Sequence, residues 1–190
     1  MKKKSLLSII AAGMVAVTLL AGCGKKEDTK PAESTTKTET AKADATTSAS
    51  VVSDAAAFEQ AIGTNGKWII AITKDVTTDK ELVLDGEFKN GKKDDKGNDA
   101  IQRKIALYTQ DENRKVTARF TLTAPKLTIK SPMASIQHGT FKGDVYVNVD
   151  NFQLVDAKVD GNIYFATDSA KSTFKMDGTS SVTGKQEVKK

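Results

Sequence analysis

From Val51 onward the chain alternates short apolar runs with polar punctuation, and the period of that alternation changes once. Over residues 51–62, Ala57, Phe58, Ala61 and Ile62 recur at helical spacing and form one apolar face. Ser53 is placed to cap the start of this helix, Asp54 suits the positive end of its dipole, and Gly63 follows its end. No capping box reinforces it, because Ala56 stands where Glu or Gln is needed. After Gly66 the runs shorten to strand length: Trp68 to Ile72, Leu82 to Leu84, Ile105 to Tyr108 and Val116 to Leu122. Around Phe120–Thr123 and Leu127–Lys130 apolar and polar residues alternate with period two, as half-buried strands require. Residues 77–80 and 110–114 read as turns, and the charged, Gly- and Asn-containing run 89–104 reads as an exposed loop. No second helix of useful length is predicted. The domain is expected to be all-β.

The C-terminal third repeats itself. Phe141-Lys-Gly-Asp-Val-Tyr-Val147 aligns with Val159-Asp-Gly-Asn-Ile-Tyr-Phe165, and Val182-Thr-Gly-Lys185 begins a weaker third copy. Each unit is a short strand, a glycine with Asp or Asn beside it, and a second short apolar strand. Glycine reaches positive φ, and Asn or Asp tolerates the left-handed region, so each unit bends sharply. Stacked units would bury Val145, Val147, Val149, Ile163 and Phe165 in one interior. A period of about 20 residues with such short strands predicts a β-solenoid rather than a sandwich. The helix at 51–62 would cover the exposed end of the stack.

A helix of the form VSDAAAFEQAI, a glycine turn, then WIIAITKDV and ELVLDG, resembles the start of pectate-lyase-like domains. The glycine-marked units also resemble polymer-forming proteins of the bactofilin kind. The resemblance implies a right-handed parallel β-helix over residues 51–190.

Residues 1–50 follow a different pattern. Lys2, Lys3 and Lys4 precede an apolar stretch from Leu6 to Leu20, which ends in Leu20-Ala21-Gly22-Cys23. This is a signal peptide in outline, too short for the roughly 20 apolar residues of a membrane span. The run resembles the lipobox of bacterial lipoproteins. That resemblance implies cleavage after residue 22, acylation of the Cys23 thiol with chains such as palmitate, and an anchor in the outer face of the cell membrane. Residues 24–50 contain no aromatic residue and no Val, Ile, Leu or Met, so the linker 23–50 is expected to be disordered. As a coil it would hold the domain roughly 30 Å from the membrane.

Composition then removes several function classes. The formal charge of +5 falls to about +2 once the three signal-peptide lysines leave, and no basic block with interleaved aromatics remains, so no nucleic acid is expected as a partner. Cys23 is the single cysteine and excludes a disulfide. His138 is the single histidine, which excludes a multi-His metal site, and it reads as a surface residue of a turn beside Gly139. Pectate-lyase relatives hold calcium on clustered aspartates and use a basic residue to remove a proton. Asp144, Asp160 and Asp177 sit beside glycines and read as turn residues, though stacking could bring some into a column. The run 94–99 departs from the EF-hand pattern. Arg119 lies where a lyase would hold its base. Trp68 is expected beneath the helix.

Tyr146 and Tyr164 occupy equivalent places in successive units and should point outward, either as a ligand surface or as an aromatic ladder that stabilises the sheet; Tyr108 is a third candidate. The chain is therefore read as a lipid-anchored, non-catalytic binding or structural module for wall polysaccharide or a protein partner, with no metal and no cofactor. The alternatives are a small polysaccharide lyase and a self-assembling envelope protein.

Overall fold

Residues 48–189 are described by a computed structural model. The expected signal peptide 1–22, Cys23 and nearly all of the expected linker 23–50 lie outside them. Within them, strands dominate and the two principal sheets are parallel throughout.

The first sheet runs in the order Ala49–Val52, Ile69–Ile72, Arg103–Ala106, Ala134–Gln137, Gln153–Val155 and Lys175–Met176. The second is built on Thr121–Ile129 and Thr140–Val147. Val76–Thr77 and Leu82–Leu84 pair with the former; Lys158–Asp160 and Ile163–Phe165 pair with the latter, followed by Ser181–Val182 and Gln186–Val188. From Ile69–Ile72 on, the chain visits the two sheets alternately, and each strand pairs in parallel with one from the next visit. Val145 lies opposite Ile163, and Ile163 lies opposite Gln186, one repeat further along the chain in each case. The aligned repeats of the sequence are thus neighbours in space, including the third copy, since Val159 pairs with Val182.

Two antiparallel hairpins interrupt this pattern and hide the period in the first half of the domain. Lys89–Lys93 pairs with Asp99–Ile101, and Tyr108–Gln110 pairs with Val116–Arg119. The run 89–104, expected as a loop, is therefore an ordered hairpin that leads directly into a strand of the first sheet. Arg103 opens that strand and is fully buried.

Parallel sheets covered on both faces carry continuous apolar runs. Here the strands alternate instead: Leu122, Leu127 and Ile129 are buried while Thr121, Lys126 and Thr128 are not. The inward residues of both sheets form one core, including Ile70, Ile105, Ile136 and Leu154 from the first and Leu84, Phe141, Val145 and Phe165 from the second. Each of these large side chains contributes about 1.5–3 kcal/mol by leaving water.

The N-terminal helix is shorter than expected. Val51 and Val52 extend a strand, Ala49–Val52, that pairs with Ile69–Ile72, so order begins before residue 51 and the helix only at Ala55–Ala61. Asp54, rather than Ser53, is the cap: its carboxylate accepts the Ala57 N–H at 2.9 Å. β-Branched Val51 and Val52 lose less as strand than as helix, which moves the start. The expected apolar face is otherwise buried at Phe58, Ala61 and Ile62. Trp68, expected beneath this helix, is half-buried with the Lys104 ammonium 5.6 Å from its ring centroid; the helix packs on Ala49–Val52 and on the strand bearing Ile70 and Ile72.

A second helix, Asp168–Thr173, was not legible. It has six residues, buries only Ala170, and starts at Thr167, whose hydroxyl accepts the Ala170 N–H. It lies against Ile163–Phe165 and Gln186–Val188. After it, Phe174 packs on Phe152 and Phe165, with ring centroids 5.7 and 5.4 Å away.

Candidate functional site

Tyr146 and Tyr164 point outward because their neighbours Val145, Val147, Ile163 and Phe165 are fully buried. The register sets them side by side, with ring centroids 4.9 Å apart and planes inclined by 44°. The Lys126 ammonium lies 4.8 Å from the Tyr146 centroid, and that of Lys189 lies 4.4 Å from Tyr164 and 5.8 Å from Tyr146. Lys126 also pairs with Glu81 at 3.1 Å. Cation–aromatic contacts of this exposure contribute about 0.5–1 kcal/mol each. The sequence brought the tyrosines together but not their lysines, which come from a different strand and from the C-terminal segment. The outer surface of the stripe is thus aromatic edges, phenol hydroxyls and two cations.

Tyr108 is elsewhere. Its ring meets His138 edge-on at 4.5 Å, and burial pushes its phenol pKa up. His138 stands at φ 60° and Asp156 at φ 49°, at equivalent corners one repeat apart, since Gln137 pairs with Val155. Asp tolerates this left-handed conformation better than most residues. One oxygen of Asp156 accepts from His138 Nδ1 at 2.9 Å and from Arg119 Nη2, while Arg119 Nη1 donates to the Asp156 carbonyl at 3.2 Å. His138 is therefore a tethered residue of a polar corner rather than a free surface side chain. Arg119, the residue placed like a lyase base, is held in an ion pair. The sequence repeat, extended back from Phe141 and Val159, places 138 over 156; that was the available signal for Asp156.

Arg119 first, and then His138, hold the Asp156 carboxyl below its usual value. The unfolded chain consequently takes up this proton first as pH falls. The resulting stability is complete above the ordinary carboxylate range and is lost as pH drops through the folded value. Asp156→Asn should remove this contribution. Its melting temperature should fall below that of the parent at pH 7 and converge on it as pH falls through the folded Asp156 value, measured by thermal denaturation across pH.

Beside this corner lies an open groove of about 340 Å³, lined by Arg119, Thr121, Thr140, Asp156, Lys158 and Thr179 among others.

The remaining acidic candidates serve turns. Asp144 Oδ1 accepts both the backbone N–H and the side-chain amide of Asn162 at 2.9 Å, and Asn162 Oδ1 accepts the Lys185 N–H at 2.9 Å. Asp160 takes the Thr183 hydroxyl, and Asp177 takes Ser180, Thr179 and the Asp156 N–H. Asp94 closes its hairpin by accepting the Lys96 and Asn98 N–H groups. Among the described residues no group of three or more His, Cys, Asp or Glu converges as a metal site would require. Nor is any described helix long and apolar enough to cross a membrane. Cys23 lies outside the described residues.

Comparison with protein-family models, curated proteins and solved structures gives no match.

Proposed function

We propose that the chain is a lipid-anchored, non-catalytic module of the outer face of a bacterial cell membrane. Cys23 carries the anchor, and the domain offers a sheet face to wall polysaccharide or to a protein partner. On this reading the alternating parallel sheets wind as a right-handed parallel β-helix with the Ala55–Ala61 helix at one end. The recurrence of parallel partners once per sequence repeat favours that winding, as does the strong preference of parallel crossovers for the right hand.

The observation that carries the functional reading is the Tyr146–Tyr164 pair with Lys126 and Lys189 over it. Exposed tyrosines combine apolar area with a polar tip, and the ammonium groups add attraction for anionic groups of a wall polymer. A lyase is the weaker reading, because Arg119 is engaged by Asp156. Assembly through the sheet ends is weakened by the shortness of the terminal strands Lys175–Met176 and Gln186–Val188, a usual protection against edge pairing.

The test is sedimentation of the full chain, carrying Cys23→Ser to remove the acylation thiol, with and without isolated cell wall. Pelleting with wall only is expected, and the double variant Tyr146→Ala, Tyr164→Ala should lower the bound fraction at least about five-fold at constant protein. Pelleting in both tubes indicates self-assembly instead. Pelleting in neither removes the wall from the proposal.

A further inference from the structure

We propose that Lys104 captures carbonyl compounds that carry an anionic group, forming an imine on its side-chain nitrogen. The site lies on the outer face of the first sheet, whereas the tyrosine stripe belongs to the second. Its neighbours Arg103 and Ile105 are fully buried, so Lys104 points outward from the middle of that sheet. Ile69 and Ser135 flank it in register, Gln153 stands beyond Ser135, and Ala106 lies two residues on. None of these side chains carries a charge.

The Lys104 N–H donates to the Trp68 carbonyl at 2.7 Å, and its ammonium lies 5.6 Å from the Trp68 ring centroid. That is near the outer limit of a cation–aromatic attraction, about 6 Å, so the ring acts chiefly as an apolar wall. Among the described residues no carboxylate pairs with Lys104, whereas Lys80, Lys89, Lys93, Lys126 and Lys158 each have an acidic partner. Lys92, on the adjoining hairpin strand Lys89–Lys93, is exposed and brings a second cation close by. Burial first, and then the charge of Lys92, hold the Lys104 ammonium below its usual value; hydrogen bonds to Glu59 and Asp99 raise Lys80 and Lys89. A desolvated amine beside another cation is an activated nucleophile. Its unprotonated Nζ adds to the carbonyl carbon. Both Nζ hydrogens and the carbonyl oxygen then leave as one water, so the imine forms without oxidant or reductant. The Lys92 ammonium pairs with the anionic group of the bound compound.

The test treats the full Cys23→Ser chain with sodium para-formylbenzoate, traps imines with sodium cyanoborohydride and locates them by peptide mass spectrometry. Benzaldehyde is the uncharged control, and each rate is divided by that of Nα-acetyl-lysine. Lys104 is expected to carry the first and dominant adduct. The normalised rate there should be about ten-fold higher for formylbenzoate than for benzaldehyde, the worth of one charge-assisted hydrogen bond. Lys92→Gln should abolish most of that preference while the melting temperature stays unchanged. Tyr146→Ala, Tyr164→Ala should leave Lys104 labelling intact, which separates this site from the wall-binding reading. Label spread over the lysines in proportion to their exposure, equal normalised rates for the two aldehydes at Lys104, or an undiminished preference in Lys92→Gln each overturns the proposal.

Discussion

Replacing Arg103 by methionine is expected to destabilise the domain by about 3 kcal/mol, lowering its melting temperature by roughly 10 °C. Arg103 is fully buried, with its guanidinium over the Phe88 ring at 3.8 Å. Nη1 donates to the Lys67 carbonyl at 2.7 Å, and Nη2 donates to the carbonyls of Ala61 and Gly63 at 2.8 and 3.0 Å. Two of these acceptors lie at the C-terminal end of the helix, where carbonyls lack intrahelical partners and the dipole favours a cation. Burial pulls the guanidinium pKa down to about 10, partly offset by Asp85, so it remains charged at neutral pH.

Methionine fills much of the volume but leaves three carbonyls without their donor. Arg103→Lys should recover only part of the loss, since one ammonium cannot reproduce the planar fork. Thermal denaturation followed by circular dichroism measures both. A methionine variant melting within about 2 °C of the parent would show that water serves these carbonyls equally well.

The second large effect is expected at Gly161. A Cβ there would stand 2.0 Å from the Gly143 carbonyl oxygen and 2.6 Å from its carbon, both backbone atoms of the neighbouring strand. Nothing flexible can move aside, and parallel strands hold their spacing at about 4.8 Å. Gly161→Ala must therefore separate Lys158–Asp160 and Ile163–Phe165 from Thr140–Val147, breaking several ladder bonds. A loss above about 3 kcal/mol is expected, beyond the ordinary range for single substitutions.

Gly143 has the same problem one repeat earlier, with a Cβ 1.9 Å from the Ala124 oxygen, and its φ of 136° adds backbone strain. Gly178→Ala is the internal control. Its Cβ would meet nothing within 4 Å, so the change should stay within about 0.5 kcal/mol. Equal melting of Gly161→Ala and Gly178→Ala would contradict the close stacking of these turns.

The two sites differ in how visible they were. Gly143, Gly161 and Gly184 announced themselves through the repeat, although the expected reason was only partly right. Left-handed backbone is needed at Gly143, whereas Gly161 and Gly184 are required by close approach of the strand before them. Arg103 was invisible, because it lies near the end of a charged run, 89–104, that reads as solvated loop. Nothing local distinguishes a lysine facing water from an arginine whose partners are 36 to 42 residues away.

By itself, the sequence determined the strand-forming alternation, the inward set Val145, Val147, Ile163 and Phe165, the outward pair Tyr146 and Tyr164, and the stacking of its repeats. These follow from period-two sterics and from a spacing repeated along one chain. Tertiary structure alone decided which cations lie over the tyrosines, that Asp156 joins Arg119 to His138, and that Arg103 closes the helix. Each of those contacts joins residues from different passes of the chain. Their cost or gain depends on burial and on partners that no local pattern encodes.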